Sequence, residues 1–239
     1  MKTVLVTGGG GAIGAAICRR FAKSANVLVG DRNREAAERV AREVNGKALV
    51  FDISKYDDAK KAVAGEAIDI LVNNAGWDRF QNFTDTKPEE WDALIDINLR
   101  GPLNMHHLVV PGMLQRGSGR VINISSDAAR VGSSGEAVYS ACKGGIIAFS
   151  KTLAREVARK GITVNVVCPG PTDTPILRGF LGEGDAGQKV YDALVRAIPM
   201  KRVGQPDDIP GIVAFLASDE AGFITGQVIS VSGGLTMAG

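Results

Sequence analysis

Apolar residues recur along the chain in seven short runs rich in β-branched side chains, at residues 3–6, 27–29, 48–51, 68–72, 120–124, 162–167 and 227–231. Most of these runs are apolar at successive positions rather than at alternate ones, the pattern of strands buried on both faces. Between most of them lie longer stretches with helical spacing, at residues 12–24, 34–44, 88–113, 139–160 and 206–217. This alternation predicts an α/β fold, a doubly wound sheet of about seven parallel strands with helices on both faces. No Pro/Ser linker or internal repeat divides the chain, so residues 1–239 are expected to form a single domain. Residues 171–199 break the regularity, mixing Pro, Gly and acidic residues with short helical pieces. A long segment of this kind after a strand's carboxyl end is expected to be a loop or lid over a ligand.

Composition narrows the partners. The chain is 45% hydrophobic and 23% charged, as globular proteins are, but its 30 glycines well exceed the norm of about 7% and predict tight turns or close backbone approaches. A net charge of +2 supplies no basic field, and nucleic acid is not an expected partner. Cys18, Cys142 and Cys168 are widely spaced and form no metal-ligand pattern. Neither a disulfide framework nor a metal site is expected, and a reducing cytoplasm fits. Lys2 precedes apolar residues, but Gly8 to Gly11 interrupts them before a signal sequence can form. No run approaches the roughly 18 apolar residues that span a membrane.

The first run leads directly into Thr7-Gly8-Gly9-Gly10-Gly11-Ala12-Ile13-Gly14 and then a helix. Such a loop is a phosphate cradle: glycines allow a tight turn and close backbone approach, and the helix N-terminus directs N–H groups at a pyrophosphate. Asp31 follows the second run, 17 residues after Gly14. An acidic residue there accepts from the adenosine ribose hydroxyls and repels a 2′-phosphate, which favours NAD as the cofactor. Two alternatives stand beside this: Asp31 as a plain helix N-cap, and Arg32 as a partner for a 2′-phosphate. Farther on, Tyr139 and Lys143 stand four residues apart on one helix face. The ammonium is expected to lower the phenol's pKa, so that Tyr139 can exchange a proton with a substrate oxygen.

With these motifs, and with Asp52, Asn73-Asn74-Ala75-Gly76, Asn98, Ser126 and Pro169-Gly170 leading to Thr174, the chain resembles the short-chain dehydrogenase/reductase family over nearly its whole length. The resemblance implies a Rossmann-type fold and NAD-linked oxidation of a secondary alcohol to a ketone. It implies four catalytic residues: Ser126 orienting the reacting oxygen, Tyr139 transferring the proton, Lys143 also holding the nicotinamide ribose, and Asn98 supporting a proton-relay water. Asn98 also reads as a helix-kink residue, and Asp52 as a cap. The cofactor would meet Gly8, Gly11, Ala12, Ile13, Gly14, Asp31 and Arg32 at the cradle. Asp52 and Ile53 would contact adenine, and Asn74, Ala75 and Gly76 would line the adenosine ribose. Tyr139, Lys143, Pro169, Gly170, Thr172 and Thr174 would serve its nicotinamide and pyrophosphate part. A homotetramer is implied, through helices around residues 94–113 and 141–157 and the final strand. The segment between Asp52 and Asp69 is shorter than usual, which trims a helix on the adenine side.

The rim of the site speaks to the substrate. Trp77-Asp78, the loop from Asp127 to Glu136, Met105-His106-His107 and the segment from Val167 to Thr174 resemble dehydrogenases that act on a cyclic β-hydroxyacyl-CoA such as 2-hydroxycyclohexane-1-carboxyl-CoA, in aromatic-acid degradation. That resemblance implies a CoA thioester, with Trp77, Ser126 and Tyr139 touching it and Arg79, Arg130 or Arg178 near its phosphates. A 3-oxoacyl thioester reductase, a general secondary-alcohol dehydrogenase and a non-catalytic NAD(H) sensor are the competing readings. His106 and His107 are expected to be packing residues, and Trp91 core.

Overall fold

The computed structural model describes residues 1–182 and 184–237. All seven apolar runs are strands: β1 Lys2–Thr7, β2 Ala25–Asp31, β3 Lys47–Val50, β4 Ile70–Asn73, β5 Gly119–Ile124, β6 Ile162–Pro169 and β7 Val228–Val231. They pair in parallel in the order β3-β2-β1-β4-β5-β6-β7. The order reverses between β1 and β4, and such a switch point opens a crevice at the carboxyl ends of the strands.

The helices are α1 Ala12–Phe21, α2 Arg34–Glu43, α3 Tyr56–Ala62, α4 Pro88–Ile95, α5 Gly101–Arg116, α6 Ala128–Val131, α7 Ala137–Val157, α8 Pro175–Leu181, α9 Gly184–Ala197 and α10 Pro210–Ala217. Alternation within the strands divides the core into two layers. Val4, Val6, Val27, Val29 and Val72 pack with Ile17, Val40 and Val213 of α1, α2 and α10. Leu5, Leu28, Leu71, Val121 and Val164 pack on the other side with Ala59, Met113 and Val157 of α3, α5 and α7. Both faces are therefore covered, which is why the strands read as unbroken apolar runs.

Three elements differ from the sequence reading. The expected helix over 88–113 is interrupted by a π turn, Asp96–Arg100, and α5 runs on to Arg116, where Gly117 takes the left-handed conformation at φ 65°. The expected irregular segment 171–199 is largely helical. Thr174 caps α8, its hydroxyl accepting from the Leu177 N–H at 3.4 Å, and Pro175 occupies the first helical position. Its Pro and Gly residues thus punctuate helices α8 and α9. Trp91 is half-buried rather than core: its ring stacks on Phe83 at 5.3 Å, and its indole N–H donates to the Thr86 hydroxyl at 2.9 Å. The polar edge of the indole keeps it near the surface.

His106 is buried in a polar chain joining four elements. Its Nδ1–H donates to the Pro102 carbonyl at 2.6 Å, and Nε2 lies 3.4 Å from the Asn73 amide nitrogen. Asn73 donates to Asn123 at 2.9 Å, and Asn123 to Ser150 at 2.8 Å. Burial pushes the imidazole down to about 4, with the hydrogen bonds from its neighbours opposing. His107 lies 2.7 Å from the Tyr56 hydroxyl.

Candidate functional site

At the carboxyl end of β1 the chain turns sharply at Gly8, whose φ is 63°. Gly14, in the first turn of α1, sits so close beneath this turn that an added Cβ would lie 2.1 Å from the Gly8 carbonyl oxygen. Gly11 is the N-cap residue and no side chain caps α1. Its first amides therefore open toward a cleft lined by Gly8, Gly11, Ala12, Ile13 and Gly14. The loop is braced from β4. The Thr7 hydroxyl accepts from the N–H groups of Asn74 and Ala75, both at 3.1 Å, and the Asn74 amide donates to the carbonyls of Thr7 and Gly8 at 3.0 and 3.1 Å. Asn74 lines the cleft, but its amide N–H groups hold the glycine turn.

Asp31 ends β2 with both carboxylate oxygens anchored, Oδ2 on the Gly10 N–H at 3.0 Å and Oδ1 on the Asn33 N–H at 2.9 Å. The cap of α2 is Asn33, whose side chain accepts from the Ala36 N–H at 3.0 Å. Asp31 is thus a loop anchor on the cleft wall, with exposed Arg32 beside it. Asp52 and buried Ile53 follow β3 on the same wall. Asp52 Oδ1 accepts from the Ser54 N–H at 2.9 Å and hydroxyl at 2.7 Å, an Asx turn in place of a longer connection into the short helix α3.

Helix α7 sets Tyr139 and Lys143 one turn apart, with the ammonium nitrogen 5.6 Å from the centre of the Tyr139 ring. Lys143 Nζ donates to the Ile124 carbonyl at 3.0 Å, and burial pushes its pKa down to about 8. Ser126 acts to lower the pKa of the Tyr139 phenol, and its hydroxyl accepts from the Ala128 N–H at 3.2 Å, whereas Ser125 donates to the Lys143 carbonyl at 3.0 Å and is buried. Of the adjacent serines, Ser126 is the one that acts on the phenol. The expectation that Lys143 lowers the phenol is not met. Burial pushes Tyr139 up, the charges of Asp78 and Glu136 add to this, and only the Ser126 hydrogen bond acts downward among the main influences.

Asn98 lies fully buried in the π turn. Its amide donates to the carbonyls of Trp77 at 2.7 Å and Leu94 at 3.0 Å, and its oxygen accepts from the Trp77 N–H at 3.2 Å. It therefore joins the break in the helix to the segment after β4. Gly76 lies between: a Cβ there would sit 3.1 Å from Asn98 Oδ1 and 3.2 Å from Lys143 Nζ. On the far side, Pro169 ends β6 and the Gly170 N–H donates to the Val231 carbonyl at 3.0 Å. The Thr172 hydroxyl donates to the Gly170 carbonyl at 2.9 Å, which orders this corner of the cleft.

Residues 10–236 match the family described as Enoyl-(Acyl carrier protein) reductase. The chain belongs to the short-chain dehydrogenase/reductase family. It is 43% identical to an acetoacetyl-CoA reductase of Shinella zoogloeoides, over 98% of each chain. It is 35% identical to a 3-oxoacyl-[acyl-carrier-protein] reductase of Thermotoga maritima, over 99% of this chain and 98% of the relative. Among solved structures, a 3-oxoacyl-[acyl-carrier protein] reductase with bound NAD from Brucella melitensis superimposes with a TM-score of 0.91 at 34% identity, covering 99% of this chain and 92% of that one. These relatives are named as reductases of acetoacetyl-CoA or of 3-oxoacyl groups on acyl carrier protein. They support the broader family resemblance and not the narrower one to 2-hydroxycyclohexanecarboxyl-CoA dehydrogenase.

In this short-chain dehydrogenase the cradle and the Tyr139 region share one continuous cleft of about 1190 Å³, above the 300–1,000 Å³ typical of small-ligand pockets. The volume suits a dinucleotide together with a substrate. Its rim carries Trp77, Phe80, Ile176, Leu177, Phe180 and Leu194. The rings of Phe80 and Phe180 meet at 4.0 Å and tie the segment after β4 to α8. The arginines expected near CoA phosphates have partners within the chain: Arg79 pairs with Glu90 at 2.6 Å, Arg178 with Asp173 at 2.8 Å, and Arg130 donates to Ser230 at 2.7 Å.

The sequence reading missed the carboxyl pair of Asp78 and Glu136, which hydrogen-bond to each other on the cleft wall. Burial, then the Glu136 hydrogen bond and charge, push Asp78 up to about 7. No local motif announces this pair, because its members come from different loops. Among the described residues no group of three His, Cys, Asp or Glu side chains is placed to hold a metal, and no helix is long and apolar enough to cross a membrane.

Proposed function

We propose that the protein interconverts 3-oxoacyl and 3-hydroxyacyl thioesters with NAD(H). The observation that carries the reading is that Ser126, Tyr139 and Lys143 line the same cleft as the glycine cradle. The glycine cradle, the uncapped start of α1 and the anchored Asp31 fit a dinucleotide. When bound, nicotinamide supplies or accepts the hydride. Ser126 orients the carbonyl oxygen, and Tyr139 gives its proton to that oxygen as the carbonyl carbon gains the hydride, leaving the secondary alcohol. Lys143, held at the Ile124 carbonyl, positions the cofactor ribose, while Asn98 fixes Trp77 at the substrate wall. Asp31 supports NAD over NADP by occupying the place where a 2′-phosphate would need room.

The thioester follows from the acetoacetyl-CoA and 3-oxoacyl relatives. A cyclic acyl group is the narrower reading, favoured by the ring-lined rim of Trp77, Phe80 and Phe180. A homotetramer is the assembly this reading includes, with half-buried edge strand β7 as one contact. Steady-state rates with acetoacetyl-CoA, 2-oxocyclohexane-1-carboxyl-CoA, an acyl-carrier-protein thioester and the corresponding free ketones, each with NADH and NADPH, test the proposal. Rates that do not depend on the thioester handle would overturn it.

A further inference from the structure

The loop that carries Ser126 is pinned from three directions at its next residue. The Asp127 N–H donates to the Pro169 carbonyl at 3.0 Å, which ties it to the end of β6. Its carbonyl accepts from the N–H groups of Arg130 and Val131 at 2.9 and 3.1 Å, which starts helix α6. Asp127 is the N-cap residue of α6, yet its side chain caps nothing in that helix. Its Oδ1 accepts instead from the Ser230 hydroxyl on β7. Ser230 in turn accepts from the Arg130 guanidinium at 2.7 Å. One hydroxyl on the sheet thus grips both ends of α6. Ser230 is placed to do so because it stands opposite Cys168, the residue before Pro169, in the β6–β7 register. Ala128, the first residue of α6, gives its N–H to the Ser126 hydroxyl at 3.2 Å.

We infer that Asp127 and Ser230 are positioning residues for the reaction: together they fix the Ala128 N–H that orients the Ser126 hydroxyl toward the reacting oxygen. A serine hydroxyl has one hydrogen to give and two lone pairs. The Ala128 N–H occupies a lone pair, so the hydrogen stays available to a substrate oxygen in the cleft that Ser126 lines. The direction of that hydrogen follows the placement of the amide. Helix α6 has four residues, a single turn too short to hold its own place. The chain from Arg130 through Ser230 to Asp127 holds it. Stability is a poor account of this carboxylate. Asp127 is buried, and its Oδ2 has no hydrogen-bond partner among the described residues. An added Cβ at Gly170 would lie 3.6 Å from that oxygen. Burying an unpaired polar oxygen opposes folding. What the carboxylate supplies is a fixed geometry, joining β7 to the loop of the reacting serine.

The inference rests on the reading that Ser126 orients the substrate oxygen, and not on the thioester. NADH-linked reduction is measured with acetoacetyl-CoA and with ethyl acetoacetate, a ketone without the CoA handle. Ser230→Ala and Asp127→Ala are each expected to lower kcat about tenfold or more, since a misplacement of about 1 Å at a reacting group costs up to about 10²-fold. KM for NADH is expected to stay as in wild type. In a Ser126→Ala background the further change Ser230→Ala is expected to cost nothing more, because a residue that acts through Ser126 has nothing left to act on. Ser230→Thr keeps the hydroxyl and is expected to keep the rate. Ser230 lies on the half-buried edge strand, so Ser230→Ala decides the question even where Asp127→Ala fails to fold. A loss from Ser230→Ala that persists undiminished in the Ser126→Ala background, or a wild-type kcat in Ser230→Ala, overturns the inference while the reading of Ser126 stands. A Ser126→Ala protein as fast as wild type removes that reading, and the inference with it. Non-additive losses seen with ethyl acetoacetate alone sustain the inference and remove the thioester reading.

Discussion

Asn98 and Trp77 are joined by two hydrogen bonds, the Asn98 amide donating to the Trp77 carbonyl at 2.7 Å while its oxygen accepts from the Trp77 N–H at 3.2 Å. A side chain that satisfies both polar groups of one residue acts as a clamp on the backbone. Asn98→Ala leaves those groups without partners in the interior and is expected to cost about 1–3 kcal/mol. Chemical denaturation reads the loss, and a protein as stable as wild type would show that the clamp carries no weight.

Tyr139→Phe keeps the ring and removes the exchangeable proton. Turnover is expected to fall by about 10²-fold or more, while NADH affinity, measured by fluorescence titration, changes little because the cradle lies elsewhere. Retained turnover would take Tyr139 out of the reaction.

Gly14→Ala places a methyl group 2.1 Å from the Gly8 carbonyl oxygen. The turn must open, with an expected loss of about 1–3 kcal/mol and weaker NADH binding in the same titration. Gly211→Ala is the control: nothing lies within 4 Å of its Cβ, and in helix α10 the change is expected to stabilise by about 0.4–1 kcal/mol.

Asp31→Ser removes the carboxylate beside Arg32 and frees the Gly10 N–H. The ratio of kcat/KM for NADPH to that for NADH is expected to rise about tenfold or more, since a repulsion is removed and a guanidinium remains exposed to receive the phosphate. An unchanged ratio would place cofactor choice elsewhere.

His106 is neutral in the fold, its pKa pushed down to about 4 by burial. Its folded value lies below the unfolded one near 6.5, so its contribution is fully present above about pH 6.5. As pH falls toward 4 the unfolded chain takes up the proton first, and stability declines by up to about 3 kcal/mol. Denaturation midpoints from pH 7 to 4 should fall less steeply in His106→Gln than in wild type; parallel curves would assign the acid sensitivity to other groups.

Much of the fold was legible because its determinants are local. Unbroken apolar runs mark buried parallel strands, and the glycine loop, Asp31, and the Tyr139–Lys143 spacing each declare their chemistry within one strand, turn or helix. The helix over 88–113 was misread because the π turn at Asn98 is stabilised by contacts to Trp77, far away in the chain. The segment 171–199 was misread because Pro175 and Gly182 mark helix ends as readily as loops.

The sequence by itself determined the layer order of strands and helices, the cradle and the side chains able to exchange a proton. Only the tertiary structure decided how those side chains are tuned. Burial drives Lys143 down and Tyr139 up, Asn74 braces the glycine turn, and Asp78 and Glu136 act on the phenol from separate loops. Electrostatic tuning depends on distance and desolvation across separate loops, and neither quantity exists until the loops have been brought together.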